Sequence, residues 1–333
     1  MIKNFFIILL LFFGFYEPAF SAYIEMQKDV PEEGLFDLGP TAFSFELQPG
    51  ESAKRVIQVT NREGHEQKYQ IEVEDFEGAQ IPGNSIALKG KESGRYGAKD
   101  WVKPELTEFT VKHGERQFFE FEVNVPENAD SGDHYASILV SRAISESDRP
   151  ANKETSPAIN IKSRVGALLF IKVGGPTKED GSLESFSRDR EWYEKGPVKF
   201  NLVFRNNGTV RLRPQGEIAI FDMFGKNLET LKIEPANVLR DSVRGFDVVW
   251  NRKYLAGRYL VKLKFDPDLG NGLIEREMTF WAIPWKEMSL VFVLLFILLF
   301  IFIFFKNNFS LRIRLEKKSD NKGNKNKKIN LSK

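Results

Sequence analysis

The stretch GERQFFEFEVNVPENADSGDHYASILV (residues 114–140) admits two readings, and the choice between them decides the fold. Its last part, SGDHYASILV (131–140), sets Asp133, His134 and Ser137 within five positions, the residue types of a nucleophilic triad. Upstream the chain alternates: Phe119, Phe121, Val123 and Val125 are separated by Glu120, Glu122 and Asn124, the pattern of a half-buried antiparallel strand. Successive strand side chains point to opposite faces. His134 and Tyr135 therefore diverge, Ser137 lies on the face opposite His134, and no linear Ser–His–Asp relay can form. His134 reads as a half-exposed strand position. Strand and turn account for these letters, and catalysis does not.

The same period of two recurs at Tyr69-Ile71-Val73, at Val198-Phe200-Leu202-Phe204 and at Tyr259-Val261-Leu263-Phe265. Turn signals fall between: Pro49-Gly50, Arg62-Glu63-Gly64, His113-Gly114, Asn206-Asn207-Gly208 and Phe224-Gly225-Lys226. Short alternating strands at this spacing predict β-sandwiches. Two halves echo each other. Residues 241–265, DSVRGFDVVWNRKYLAGRYLVKLKF, repeat the order of 114–140, and VTNREG (59–64) matches FRNNGT (204–209) as strand, Asn and Gly turn. Each half also sets a Gly just before a Tyr that opens a penultimate strand, at Gly132/Tyr135 and Gly257/Tyr259. This resembles the tyrosine corner of Greek-key sandwiches, in which the hydroxyl bonds back to nearby backbone. The pattern breaks near Gly174-Gly175-Pro176, which sets the domain boundary.

Both ends of the chain are apolar. Lys3, the run Phe5 to Phe13 and the small residues Ala19 and Ser21 read as a signal peptide over 1–21, cleaved after Ser21 or Ala22. Met288 to Phe305 is uncharged over eighteen residues, about the thickness of a bilayer's hydrocarbon as a helix. Trp281 and Trp285 precede it at the expected interface. From Lys306 onward there are ten Lys or Arg and two acids. Removing that +8 from the chain's net +2 leaves −6 for the exported part. Positive flanks mark the cytoplasmic side, so a single-pass type I protein is expected, with its bulk extracellular or periplasmic. The tail KKSDNKGNKNKKINLSK (317–333) lacks aromatics for base stacking and reads as topogenic and lipid-touching, so no nucleic-acid partner is expected.

Chemistry-bearing residues are sparse. The 333 residues include no Cys, which excludes disulfides, thiolate zinc sites and a thiol nucleophile, and only three His, widely spaced. In DPDLGNG (266–272), Asp266, Asp268 and Asn271 could ligate calcium, but an Asp/Asn/Gly-rich hairpin turn needs no metal. Glu72, Glu74, Asp75 and Glu77 form an acidic run, with Glu72 and Glu74 expected on a solvent face. Two long connections, 78–104 and 142–158, are candidates for function, the second as a mobile protrusion. Trp101 in the first is either a core plug or a binding aromatic, and average burial favours the core. No catalytic, cofactor or metal residues are assigned, and no cofactor is expected.

With these pieces in place the chain resembles a bacterial membrane-anchored surface protein of the WxL-interacting-protein class. The resemblance is carried by FSFELQPGES (43–52), VTNREG (59–64), DWVKPELTEFTV (100–111), VNVPENADSGDHYASILV (123–140), RVGALLFIKVGG (164–175) and TFWAIPW (279–285). It implies a first immunoglobulin-like domain that binds peptidoglycan and a second that binds a host or partner. The expected organisation is therefore all-β: signal peptide 1–21, immunoglobulin-like sandwiches over 22–174 and 175–285, transmembrane helix 286–306 and basic tail 307–333. The expected function is extracellular binding of a cell-wall polymer or surface protein. The alternatives are a chaperone-like assembly factor and a wall hydrolase.

Overall fold

The structure, a computed structural model, describes residues 21–81, 86–143, 164–270 and 272–308. The expected signal peptide up to Phe20, most of the 142–158 connection, Asn271 and the tail beyond Asn308 lie outside the described residues. The chain up to Ala282 forms one compact unit and the remainder a second.

The first unit is built on strands, with one 3-10 turn at Lys99–Trp101 among its described residues. Its N-terminal part contains β1 (Tyr23–Met26), β2 (Leu35–Gly39), β3 (Ala42–Leu47), β4 (Ser52–Arg62), β5 (Gln67–Gly78), β6 (Ile86–Leu88), β7 (Val102–Pro104), β8 (Glu108–Val111), β9 (Glu115–Asn124), β10 (Gly132–Arg142) and β11 (Arg164–Val173). One sheet runs β1-β9-β4-β2 with β7 also on β9, and the other β3-β11-β10-β5-β6 with β8 also on β5. The C-terminal part contains β12 (Gly181–Arg188), β13 (Trp192–Tyr193), β14 (Val198–Asn206), β15 (Gln215–Phe221), β16 (Asn227–Ile233), β17 (Ser242–Trp250), β18 (Gly257–Asp266) and β19 (Ile274–Ala282). Its sheets are β12-β14-β17 and β13-β19-β18-β15-β16. The chain is thus two immunoglobulin-type sandwiches, each with its own core.

The alternation in the sequence explains the layers. Phe119, Phe121 and Val123 of β9 enter the first core, and Val198, Phe200, Leu202 and Phe204 of β14 enter the second, all essentially without exposure. Burying each of these side chains contributes about 1.5–3 kcal/mol. Both sandwiches split an early segment between sheets: β2 and β3 lie in different sheets, as do β12 and β13. The second member of each pair runs parallel to the domain's last strand, β3 on β11 and β13 on β19.

The echo between VTNREG and FRNNGT extends to individual hydrogen bonds. Asn61 Nδ2 donates to His65 O and Val111 O, and its Oδ1 accepts from Glu63 N, all at 2.8 Å. Asn206 Nδ2 donates to Val210 O (2.8 Å) and Val238 O (2.9 Å), and its Oδ1 accepts from Gly208 N (2.8 Å). In each case one buried amide closes a turn and ties it to a distant segment of the same sandwich.

The second unit contains α1 (Trp285–Asn308), whose stretch Trp285–Lys306 is long and apolar enough to cross a membrane. Twenty-two helical residues extend about 33 Å.

Candidate functional site

The triad letters are placed on β10 and do not converge. β10 lies between β11 and β5, and every residue from Gly132 to Ser141 is buried. His134, expected half-exposed, is 3% exposed. The reason is the 78–104 connection, whose Trp101 packs on the His134 ring at 4.6 Å and sits partly buried against the first core. Trp101 is therefore a core plug. His134 Nε2 lies 2.9 Å from Asp130 O, while Ser137 Oγ on the opposite face donates to Glu74 O at 3.0 Å. Asp133 turns toward the second sandwich, where its Oδ2 accepts from Arg211 N at 2.8 Å.

The acidic run also departs from its expected solvent face. Glu74 is buried and bound to Arg164, which also reaches Glu72 at 3.7 Å. Asp75 is 2% exposed because the connection folds onto its carboxylate: Oδ1 accepts from Ala98 N (2.8 Å) and Lys99 N (2.7 Å), and Oδ2 from Gly94 N (2.9 Å). Glu77 takes Arg95 N at 2.5 Å. Three backbone N–H groups on one carboxylate make Asp75 the anchor of the connection. These carboxylates shape the 78–104 connection, and a two-carboxylate hydrolytic cleft is not formed by them.

That connection carries Arg95 and Tyr96 to the junction between the sandwiches. Tyr135, Phe76 and Phe170 form a small aromatic cluster with Leu239 of the second sandwich. Tyr135 Oη accepts from Arg240 N at 2.9 Å and faces the Asp133 carboxylate as donor at 3.5 Å, so its main-chain partner lies in the second sandwich and not in its own loop as in a tyrosine corner. Tyr259 Oη does, accepting from Ala256 N at 3.0 Å. The Arg240 guanidinium lies 3.9 Å from the Tyr96 ring centre and donates to Asp130 Oδ2 at 3.2 Å. Arg95 pairs with Asp241 at 2.5 Å, and Arg211 covers the Phe170 ring at 4.5 Å. Backbone bonds complete the joint: Asp133 N to Thr209 O and Val243 N to Ala79 O, both 2.9 Å. Burial raises the Asp133 carboxyl, against the lowering pull of the Arg211 N–H, and burial beside Asp133 raises the Tyr135 hydroxyl well above its ordinary value. A cavity of only about 50 Å³ remains there, lined by Glu77, Arg95, Tyr96, Tyr135 and Arg240. The junction is a fastened joint, and the cavity left there among the described residues is small.

Larger clefts open on the second sandwich. β16 and β17 are the last strands of their respective sheets, each paired on one side only. Between them a cleft of about 560 Å³ is lined by Leu231, Ile233, Phe246 and Val248, together with Lys232, Glu234, Arg244 and Asp247. Burial lowers the Arg244 guanidinium, which donates to Asn237 O at 2.8 Å. Unpaired strand edges are templates for another strand. The DPDLGNG hairpin joins β18 to β19 elsewhere; Asp268 N is bound by Asp266 Oδ1 (3.0 Å), and Asp268 Oδ2 takes Arg213 N (2.8 Å). Among the described residues no cluster of His, Asp or Glu could hold a metal ion.

Arg211, Arg240 and the β16–β17 cleft were not visible in the sequence. Edge status follows only from pairing.

No protein-family model matches the chain, and no curated protein matches it. Similar solved structures include the class 5 fimbriae chaperone CfaA, 14% identical over 75% of this chain and 100% of that one, with a TM-score of 0.36. The E. coli chaperone DraB is 14% identical over 75% and 96%, with a TM-score of 0.34. A chaperone–tip subunit pre-assembly complex from the archaic chaperone-usher Csu pili of Acinetobacter baumannii is 15% identical over 64% and 89%, with a TM-score of 0.33. At scores this low these likenesses carry no functional inference.

Proposed function

We propose that this protein is a non-enzymatic, membrane-anchored binding protein that holds an extended segment of another exported protein at the open edge of its second sandwich. The observation that carries this reading is the cleft between β16 and β17, each paired with a strand on one side only, although Val243 at the start of β17 bonds outward to Ala79. A strand added there bonds through main-chain groups, and its alternate side chains enter among Leu231, Phe246 and Val248; the first supplies affinity, the second specificity. The same geometry serves a chaperone-like factor that shields an exported subunit and a receptor that retains a surface protein. Anchoring by α1, with the sandwiches outside and the basic tail in the cytoplasm, belongs to the proposal. It is supported by the helix's length and composition and by the charge excess after Lys306.

A second reading, peptidoglycan binding by the first sandwich, is favoured by the motifs shared with the WxL-interacting-protein class. One paired assay separates the two. Full-length protein in detergent is offered insoluble peptidoglycan and, separately, peptides of alternating apolar and polar residues cut from exported surface proteins. Wild type is expected to retain strand-forming peptides and Leu231→Glu to lose them, because the new charge enters the cleft. Peptide binding untouched by Leu231→Glu would sink the edge reading. Sedimentation with peptidoglycan in both variants would move the working surface to the first sandwich.

A further inference from the structure

The pole of the second sandwich that faces away from the first is apolar and aromatic for no reason internal to the fold. Pairing brings together the β13 segment, the β15–β16 turn, the β17–β18 loop and the end of β19: Phe221 pairs with Leu260 and Asn227, Gly257 with Ala282, and Trp192 with Trp281. Four of the five exposed aromatic side chains among the described residues of 21–282 sit here, namely Trp192, Phe224, Tyr254 and Trp281. Trp192 and Trp281 are register partners on adjacent strands, so their side chains share a face. Phe224 is 87% and Tyr254 73% exposed.

The turn that presents Phe224 folds without it. Asp222 Oδ1 accepts from Phe224 N and Lys226 N, both at 2.9 Å, and Gly225 takes φ +80. Polar residues at Met223 and Phe224 would satisfy that turn equally. Basic residues are interleaved: the segments 188–198, 221–227 and 250–258 hold seven Lys or Arg against four Asp or Glu, although the exported part as a whole is acidic. Aromatic rings mixed with Lys and Arg are the composition of a surface that rests in the headgroup layer of a membrane. From this same pole the chain leaves β19 at Ala282, and only Ile283 and Pro284 separate it from the first residue of α1.

We infer that this pole docks onto an anionic lipid surface, with Phe224, Tyr254, Trp192 and Trp281 seated at the headgroup boundary and Lys226, Arg252 and Lys253 on lipid phosphates. The inference rests on the anchoring part of the proposed function and adds a second contact with the same bilayer.

The chain has no Cys, so single labels are clean. The full-length protein, as Phe224→Cys, Tyr254→Cys, Glu179→Cys or Leu298→Cys carrying an environment-sensitive fluorophore, is reconstituted into phosphatidylcholine–phosphatidylglycerol vesicles containing a nitroxide-bearing lipid. Glu179 lies near the other pole and Leu298 within α1. Labels at 298, 224 and 254 are expected to be quenched several-fold more than the label at 179. Replacing phosphatidylglycerol by phosphatidylcholine is expected to weaken quenching at 224 and 254 but not at 298. Quenching at 298 with 224 and 254 no different from 179 overturns the docking while leaving the anchor intact. No quenching at 298 removes the anchor and the docking with it. Self-quenching between labels at 224 without lipid quenching assigns the patch to a second copy and overturns the lipid proposal.

Discussion

Gly132/Tyr135 and Gly257/Tyr259 share a sequence signature and end with different partners. Tyr259 accepts from Ala256 N three residues upstream, while Tyr135 accepts from Arg240 N, 105 residues away in the other sandwich. The glycines differ in parallel. A Cβ on Gly257 would meet only the Met223 thioether at 3.2 Å, whereas one on Gly132 would fall 2.4 Å from the carbonyl oxygen of Thr209. The first sandwich has therefore turned a device that elsewhere closes a loop into a fastener between domains. The strand supporting it, β10, is buried along its whole length apart from Arg142. A local signature specifies a backbone shape, and its surroundings decide what that shape holds.

The largest effects are expected where the two sandwiches agree. Asn61→Ala or Asn206→Ala removes three side-chain hydrogen bonds from its own domain, although Val238 O keeps the Leu212 N–H. At about 1 kcal/mol net per bond, and more where a buried group is left unsatisfied, each change should destabilise by about 3–5 kcal/mol. Hydrogen exchange on the full chain in detergent should show each loss confined to the mutated sandwich. Loss spreading equally to both would mean that the sandwiches unfold as one and would weaken the contrast between the tyrosines.

Next come the glycines. Both occupy positive φ, +105 at Gly132 and +95 at Gly257, so Ala is strained at either site. For Gly257→Ala the strain alone amounts to about 1–2 kcal/mol. Gly132→Ala adds a clash with backbone that cannot swing aside, and about 2–4 kcal/mol is expected. The extra cost should appear as faster exchange at the Asp133 and Arg240 amides. Equal destabilisation by the two substitutions would mean that Gly132 is not a junction residue.

What the sequence revealed follows the range of each interaction. Alternation of Phe119, Phe121 and Val123 depends only on the pleat, so strands and core faces were legible. The paired Asn turns were legible as well, because most of their bonds lie within four residues. The Tyr259 corner is legible for the same reason. Burial of His134 was not legible, because its cover, Trp101, arrives from 33 residues upstream through a connection held by Asp75. The solvent face assigned to Glu74 failed likewise, since Arg164 comes from another strand. Nothing in NLETLKI or SVRGFDVVW announces that β16 and β17 end their sheets. Edge status belongs to topology.

The tyrosines themselves give a middle-sized effect. Removing either hydroxyl strands one part-buried N–H, about 1–2 kcal/mol. Tyr259→Phe should lower the denaturant midpoint of the second sandwich alone. Tyr135→Phe should leave both sandwich midpoints close to wild type and instead raise exchange at the Arg240 amide and proteolysis near the 174–181 connection. A drop in the first sandwich's own midpoint would restore a local corner at Tyr135.

The smallest effect is expected at Asp133 and reads the junction through pH. Burial raises its carboxyl above the ordinary value of 3.8, so the folded joint binds a proton more readily than the unfolded chain. Stability then falls as pH rises through the folded pKa, because the unfolded state releases its proton first. The contribution is fully present below the unfolded pKa and gone above the folded one. Asp133→Asn keeps an oxygen to accept from Arg211 N and carries no charge, so it should abolish that slope. Above the window the variant should match wild type or exceed it by less than about 1 kcal/mol, since the attraction of Arg211 and Lys172 offsets part of the burial penalty. Tyr259 has no such partner, and substitutions around it should leave the pH profile unchanged. The measurement is the denaturant midpoint of the full chain from mildly acidic to neutral pH. A slope that survives in Asp133→Asn would place the titrating group elsewhere, and the two tyrosine sites would then differ in geometry alone.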